Sequence, residues 1–169
     1  MATTADLLVD ALGRVRRTAH AVLDATPTEL LPTPPAPGTN TVAWLVWHLT
    51  RGLDEQVAEV FNYDAVWEAR GWRERMALPL PPDAHGYGMT FDEVLLVRPS
   101  ADHLRGYLDD ACAAAEDAFR TVTDADLDRV VDERWDPPVT LAVRLVSVVD
   151  DCLQHAGQAA YASGILQRR

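Results

Sequence analysis

The sequence contains no lysine; all 15 of its basic residues are arginine. That excludes chemistry needing a side-chain amine, such as Schiff-base formation or a lysine-bearing phosphate loop. Cysteine is nearly as scarce. Cys112 and Cys152 both fall in helical-looking segments, so no disulfide framework is expected and a reducing cytoplasm fits best. Positive charge is in deficit, with a formal net charge of −11. A chain of that sign repels phosphate backbones and anionic lipid surfaces, so neither nucleic acid nor membrane is expected as a partner. No run approaches the ~20 apolar residues that span a bilayer. The first ten residues lack a basic region and carry Asp6 and Asp10, so they do not read as a signal peptide. Alternating strand patterns are nearly absent. What is present is a globular composition, 48% hydrophobic and 24% charged, and residues 1–169 are expected to form one domain with a sizeable core.

Apolar residues recur at helical spacing in four long segments. In the first, about residues 5 to 25, Leu8, Leu12, Val15, Ala19, Val22 and Leu23 form one stripe. Five prolines between Pro27 and Pro37 end it and force an extended connection. Thr39, Asn40 and Thr41 offer caps for a second helix to about residue 61. Residues 62 to 90 read as a long irregular loop, holding Trp67, Trp72, three prolines and the run His85-Gly86-Tyr87-Gly88. Such a loop inside a compact domain is usually functional or packed by its own aromatics. A short helix over Phe91 to Val97 stops at Pro99, and Ser100 caps a third long helix to about Phe119. Thr123 to Arg129 reads as one or two helical turns, Asp136-Pro137-Pro138 breaks the chain, and Thr140 starts the fourth long helix. The expected fold is all-α, an up-and-down four-helix bundle with a long irregular loop between helices two and three.

Two of these helices carry polar residues where the stripe calls for apolar ones. In the fourth, Asp151 and His155 lie one turn apart on one face, flanking the stripe that runs through Leu145, Val148, Cys152 and Ala156. In the second, His48 sits one turn after Trp44 and beside Leu49. A carboxylate in an apolar interior is costly unless paired or bound to a cation. Two imidazoles and one carboxylate make a three-ligand set with an open position, the arrangement of catalytic rather than structural zinc. The same residues also allow a plainer account. His48 can be a core histidine bonded to a backbone carbonyl, and Asp151 can pair with Arg51 or Arg144.

Four separated stretches resemble the mycothiol S-transferase family of the DinB/YfiT-like superfamily. They are Trp44-Leu45-Val46-Trp47-His48-Leu49-Thr50-Arg51 with Asp54, His85-Gly86-Tyr87-Gly88, Asp132-Glu133-Arg134-Trp135-Asp136-Pro137-Pro138, and Asp150 through Gln158. The resemblance extends over nearly the whole chain. The resemblance implies a DinB-like bundle with a divalent metal, zinc foremost, held between helices. It also implies a relation to the metal-binding domain of mycothiol-dependent maleylpyruvate isomerase. There the ligands are a His from helix two and a Glu-xxx-His pair from the last helix. Carried over, His48 and His155 match the two histidines, and Asp151 stands where the isomerase has Glu. Mycothiol as co-substrate, a small electrophile as its target and a homodimer are further implications of the resemblance.

A thiol has a pKa of about 8.5 and is weakly ionised at neutral pH, and a dication removes its proton. No protein nucleophile is then required, and Cys152 and Cys112 read as small core residues. Two other readings stay open: a hydrolase using the same metal to activate water, and a non-catalytic bundle that binds a metal, ligand or partner. Asp54 is either an acceptor behind a ligand imidazole or a surface carboxylate. Gln158 either lines the pocket or bonds the backbone. His85 and Tyr87 belong to a loop that can cover the site, and His20 and His103 read as solvated.

Overall fold

The structure, a computed structural model, describes residues 1–168. Four long helices dominate it: α1 (Thr4–Ala25), α2 (Val42–Phe61), α6 (Ala101–Arg120) and α7 (Leu141–Leu166). Three short helices, α3 (Val66–Ala69), α4 (Trp72–Met76) and α5 (Phe91–Val94), lie between α2 and α6. Each long helix starts where a hydroxyl satisfies an otherwise unpaired backbone N–H. Thr3, Thr41, Ser100 and Thr140 accept from the backbone of Asp6, Trp44, His103 and Val143 respectively. The expected stripes form the core. Leu12, Val15 and Ala19 of α1 meet Leu45, Leu49 and Leu53 of α2, Leu104 and Leu108 of α6, and Leu145 and Val148 of α7, all buried.

The four-helix bundle is as the patterning predicts, but the helix directions do not alternate. At their C-terminal ends α1 and α7 meet through Thr26 and Ser163, whose hydroxyls lie 2.7 Å apart. At the other end Thr4 bonds Asp124, on the segment leading toward α7. These two helices therefore run parallel. Against α1, α6 runs antiparallel, because His20 meets Asp109 while Asp24 meets Arg105. Against α7, α2 runs antiparallel, because Leu49 meets Cys152 while Gln56 meets Arg144. The order is thus up-down-down-up, with α2 packed between α6 and α7 and α1 closing the ring against the same two. Periodicity reports which face of a helix is buried, not which way the helix points.

This order explains the length of the segment between α2 and α6. The chain must return the full length of α2 before starting a parallel helix. It does so alongside α2, pairing Asp54 with Val66 and Trp67, Arg51 with Ala84, His48 with His85, and Trp44 with Met89. The expected helix 91–97 is shorter, ending at Val94. Ahead of α7, a two-stranded antiparallel hairpin, β1 (Val130–Asp132) and β2 (Val139–Thr140), surrounds the Asp136-Pro137-Pro138 break. It is too short to show an alternation in sequence. Among the described residues, no helix is long and apolar enough to cross a membrane.

Candidate metal centre

His48 of α2 and Asp151 and His155 of α7 come together on the facing sides of these antiparallel helices. One ligand atom from each lies within 4.8 Å of the other two, and all three side chains are half-buried. The imidazole rings of His48 and His155 are 4.7 Å apart at their centroids, inclined by 69°. His155 Nε2 is 3.4 Å from Asp151 Oδ1. Gly52 faces the carboxylate, and a Cβ there would make an ordinary van der Waals contact with Asp151 Oδ2 at 3.5 Å.

Both rings are held from behind by an oxygen acceptor. The Nδ1–H of His48 donates to the backbone carbonyl of His85 at 2.5 Å, and that of His155 donates to Gln158 Oε1 at 2.9 Å. With Nδ1 protonated, each neutral ring presents its Nε2 lone pair. Acceptors that fix tautomer and orientation in this way characterise metal-ligating histidines. Trp44 completes the wall, stacked on His48 at 4.5 Å and edge-on to His155 at 6.1 Å. Its indole N–H donates to Met89 Sδ at 3.3 Å.

The electrostatics follow from that arrangement. Burial holds the His48 imidazole below its ordinary pKa, favouring the neutral form. His155 is raised and Asp151 lowered, in each case chiefly by the hydrogen bond between them. Two neutral imidazoles would aim two lone pairs and a carboxylate at one another with no donor among them. A proton or a cation must sit between. Two nitrogens and one carboxylate oxygen suit a first-row divalent metal.

The matching family model, described as the DinB superfamily, spans residues 11–159. The chain belongs to the DinB superfamily. A crystal structure titled as a conserved protein of locus from Enterococcus faecalis is similar to it throughout. That structure has 30% identity and a TM-score of 0.93, and each chain is covered over 100% of its length. Comparison with curated proteins finds no match.

Other candidates in this DinB chain are placed differently from expectation. Asp54 is neither behind a ligand imidazole nor at the surface. It is 1% exposed, and its two oxygens accept from the backbone N–H groups of Val66 and Trp67 at 2.8 Å each, and from the Tyr107 hydroxyl at 2.8 Å. It caps α3 and fastens the return segment. Arg51 and Arg144 do not meet Asp151. Arg51, 2% exposed, pairs with Glu55, donates to Ala84 O, and covers the Trp67 ring at 4.7 Å. Arg144 pairs with Asp132 at 2.8 Å. His20 is bonded to Asp109 at 2.8 Å rather than solvated, and His103 lies edge-on to Trp72. His85 enters the site through its carbonyl, not its ring. Cys112 and Cys152, by contrast, are buried as expected of small core residues, and burial pushes both thiols up, that of Cys112 to about 12, so neither is a nucleophile.

The role of Gln158 was only half legible in sequence. Its spacing of three from His155 on one helix face was the available signal. The His85 carbonyl and the ring of Trp44 left no comparable signal, because backbone contacts and pocket walls carry no residue signature.

Proposed function

We propose that this DinB-superfamily chain is a metal-dependent thiol S-transferase acting in the cytoplasm. In this reading it uses mycothiol, or a similar low-molecular-weight thiol, against small electrophiles in detoxification. His48, Asp151 and His155 hold the metal, zinc foremost. When bound, the metal supplies a positive charge that lowers the pKa of a thiol in the open position and presents its sulfur as a nucleophile.

The chain's own residues do the rest. The His85 carbonyl and Gln158 keep both Nε2 atoms directed inward. Asp151 contributes one negative charge against the dication. The return segment at His85 and the ring of Trp44 wall off the buried side of His48. In the transfer, a sulfur–carbon bond forms, the leaving group departs with the electron pair of its bond to carbon, and the thiol proton passes to solvent. The observation that carries the reading is the pair of imidazoles tied by Nδ1 to oxygen acceptors while facing a carboxylate. The choice of thiol over water rests on the resemblance of the four sequence stretches.

The test is elemental analysis of protein purified without added metal, beside His48→Ala and His155→Ala. About one zinc per chain, lost in both variants, is expected from a three-ligand site. The zinc protein should then consume free thiol with benzyl chloride, and both variants should not. Zinc binding with ester hydrolysis but no thiol loss would replace the transferase by a hydrolase. No metal, even after zinc is supplied, would sink both.

A further inference from the structure

On either side of the three candidate ligands the contact between α2 and α7 differs in character. Toward the end of α2 it is polar and ionic, with Gln56 bonded to Arg144 at 3.1 Å and Arg144 to Asp132 at 2.8 Å. Toward the start of α2 it changes character. Gln158, whose Oε1 holds His155, also lines a cleft of about 390 Å³. Leu45, one turn before His48, contributes from α2, and Ala162 and Ile165 contribute from α7. Pro35 closes one side and Tyr161, 75% exposed, stands at the mouth.

Among the described residues, no Asp, Glu, Arg or His lines this cleft, in a chain with 26 acidic and 15 basic residues. Its polar groups are neutral, from Gln158, Thr39 and Asn40. The volume falls within the roughly 300–1,000 Å³ of small-molecule sites, and an apolar lining with a few neutral polar groups is their usual make-up. A charged ligand would lose hydration there without meeting a counter-charge.

We propose that this cleft is the subsite for the apolar, uncharged part of the electrophile. Gln158 is its boundary with the metal ligands. This rests on the thiol-transfer reading and specifies its substrate class: neutral alkyl or aryl electrophiles rather than anionic ones.

The probe is prodan, an uncharged naphthalene ketone whose emission shifts on leaving water, titrated against the full chain with and without zinc. Saturable binding is expected. It should weaken at least tenfold in Ala36→Trp, which fills the exposed rim, and in Tyr161→Asp, which brings a charge to the mouth. It should be unchanged in Ala113→Trp, which blocks a separate cleft between α2 and α6. Loss in Ala113→Trp alone would overturn the assignment. So would sedimentation showing a dimer that Tyr161→Asp dissociates, with no prodan bound by either form; the cleft would then be a contact between copies of this chain. Zinc content and thiol consumption on the same samples separate the two proposals. Prodan binding that is lost in the two cleft variants, in a protein holding no zinc, keeps the apolar subsite and ends the transferase. Thiol transfer without saturable prodan binding ends the subsite alone.

Discussion

Gln158 decides which nitrogen His155 offers. Without its Oε1 the ring can rotate or carry its proton on Nε2, the atom that faces Asp151. Gln158→Ala is expected to weaken zinc binding about 10–100-fold, as losses behind ligating histidines do, read by competition with a chelating dye. The titration of the pair also has a definite sign. His155 is raised, so in the metal-free protein its contribution to stability is complete below about pH 6.5 and is lost as pH rises through the raised value. Asp151 is lowered, so its contribution is present above about pH 3.9 and lost as pH falls through the lowered value. The metal-free pair therefore supports the fold best at mildly acidic pH. Zinc requires the neutral imidazole. Calorimetric titration from about pH 8 down to about pH 5 should show affinity falling as pH drops through the raised His155 value, earlier than for an unperturbed histidine. A pH-independent affinity would contradict the ligand assignment.

The return segment from α2 to α6 is the element on which the site depends. Gly86 has φ of +107°, and a Cβ there would overlap the His48 imidazole. Gly86→Ala must displace either the ring or the His85 carbonyl that holds it. The expected outcome is at least tenfold weaker zinc binding, by the same dye competition, with the helix content in circular dichroism unchanged. Asp54 fastens the same segment one turn beyond Arg51. Asp54→Asn leaves one oxygen where two accept from backbone N–H groups, so a buried donor goes unpaired. Urea unfolding should show a loss of about 1–3 kcal/mol, and the melting temperature should fall by roughly 2–4 °C for each kcal/mol. Both residues stand in sequence as a loop glycine and a helix aspartate. Their meaning comes from what the returning chain touches.

At the scale of the molecule, a metal held by His48, Asp151 and His155 would join two helices far apart in sequence. A ligand bound only by the folded state stabilises it by about 4 kcal/mol when present at 1,000 times its Kd. Chelation is therefore expected to lower the melting temperature reversibly, and His48→Ala to abolish the effect. The sequence by itself determined the four long helices, the cap at Ser100, the start at Thr140, a choice of caps among Thr39, Asn40 and Thr41, and the buried stripes. It also singled out His48, Asp151 and His155 as polar interruptions of those stripes. Such features are local: a period of 3.6 residues and a hydroxyl before the first turn are written in neighbouring positions. Only the tertiary structure decided the up-down-down-up order, the burial of Asp54 and Arg51, and the carbonyl of His85 behind His48. Each of these depends on which segments meet across the bundle. Helix direction is set by where a connection ends, and a backbone carbonyl is the same in every residue, so neither leaves a mark in local patterning.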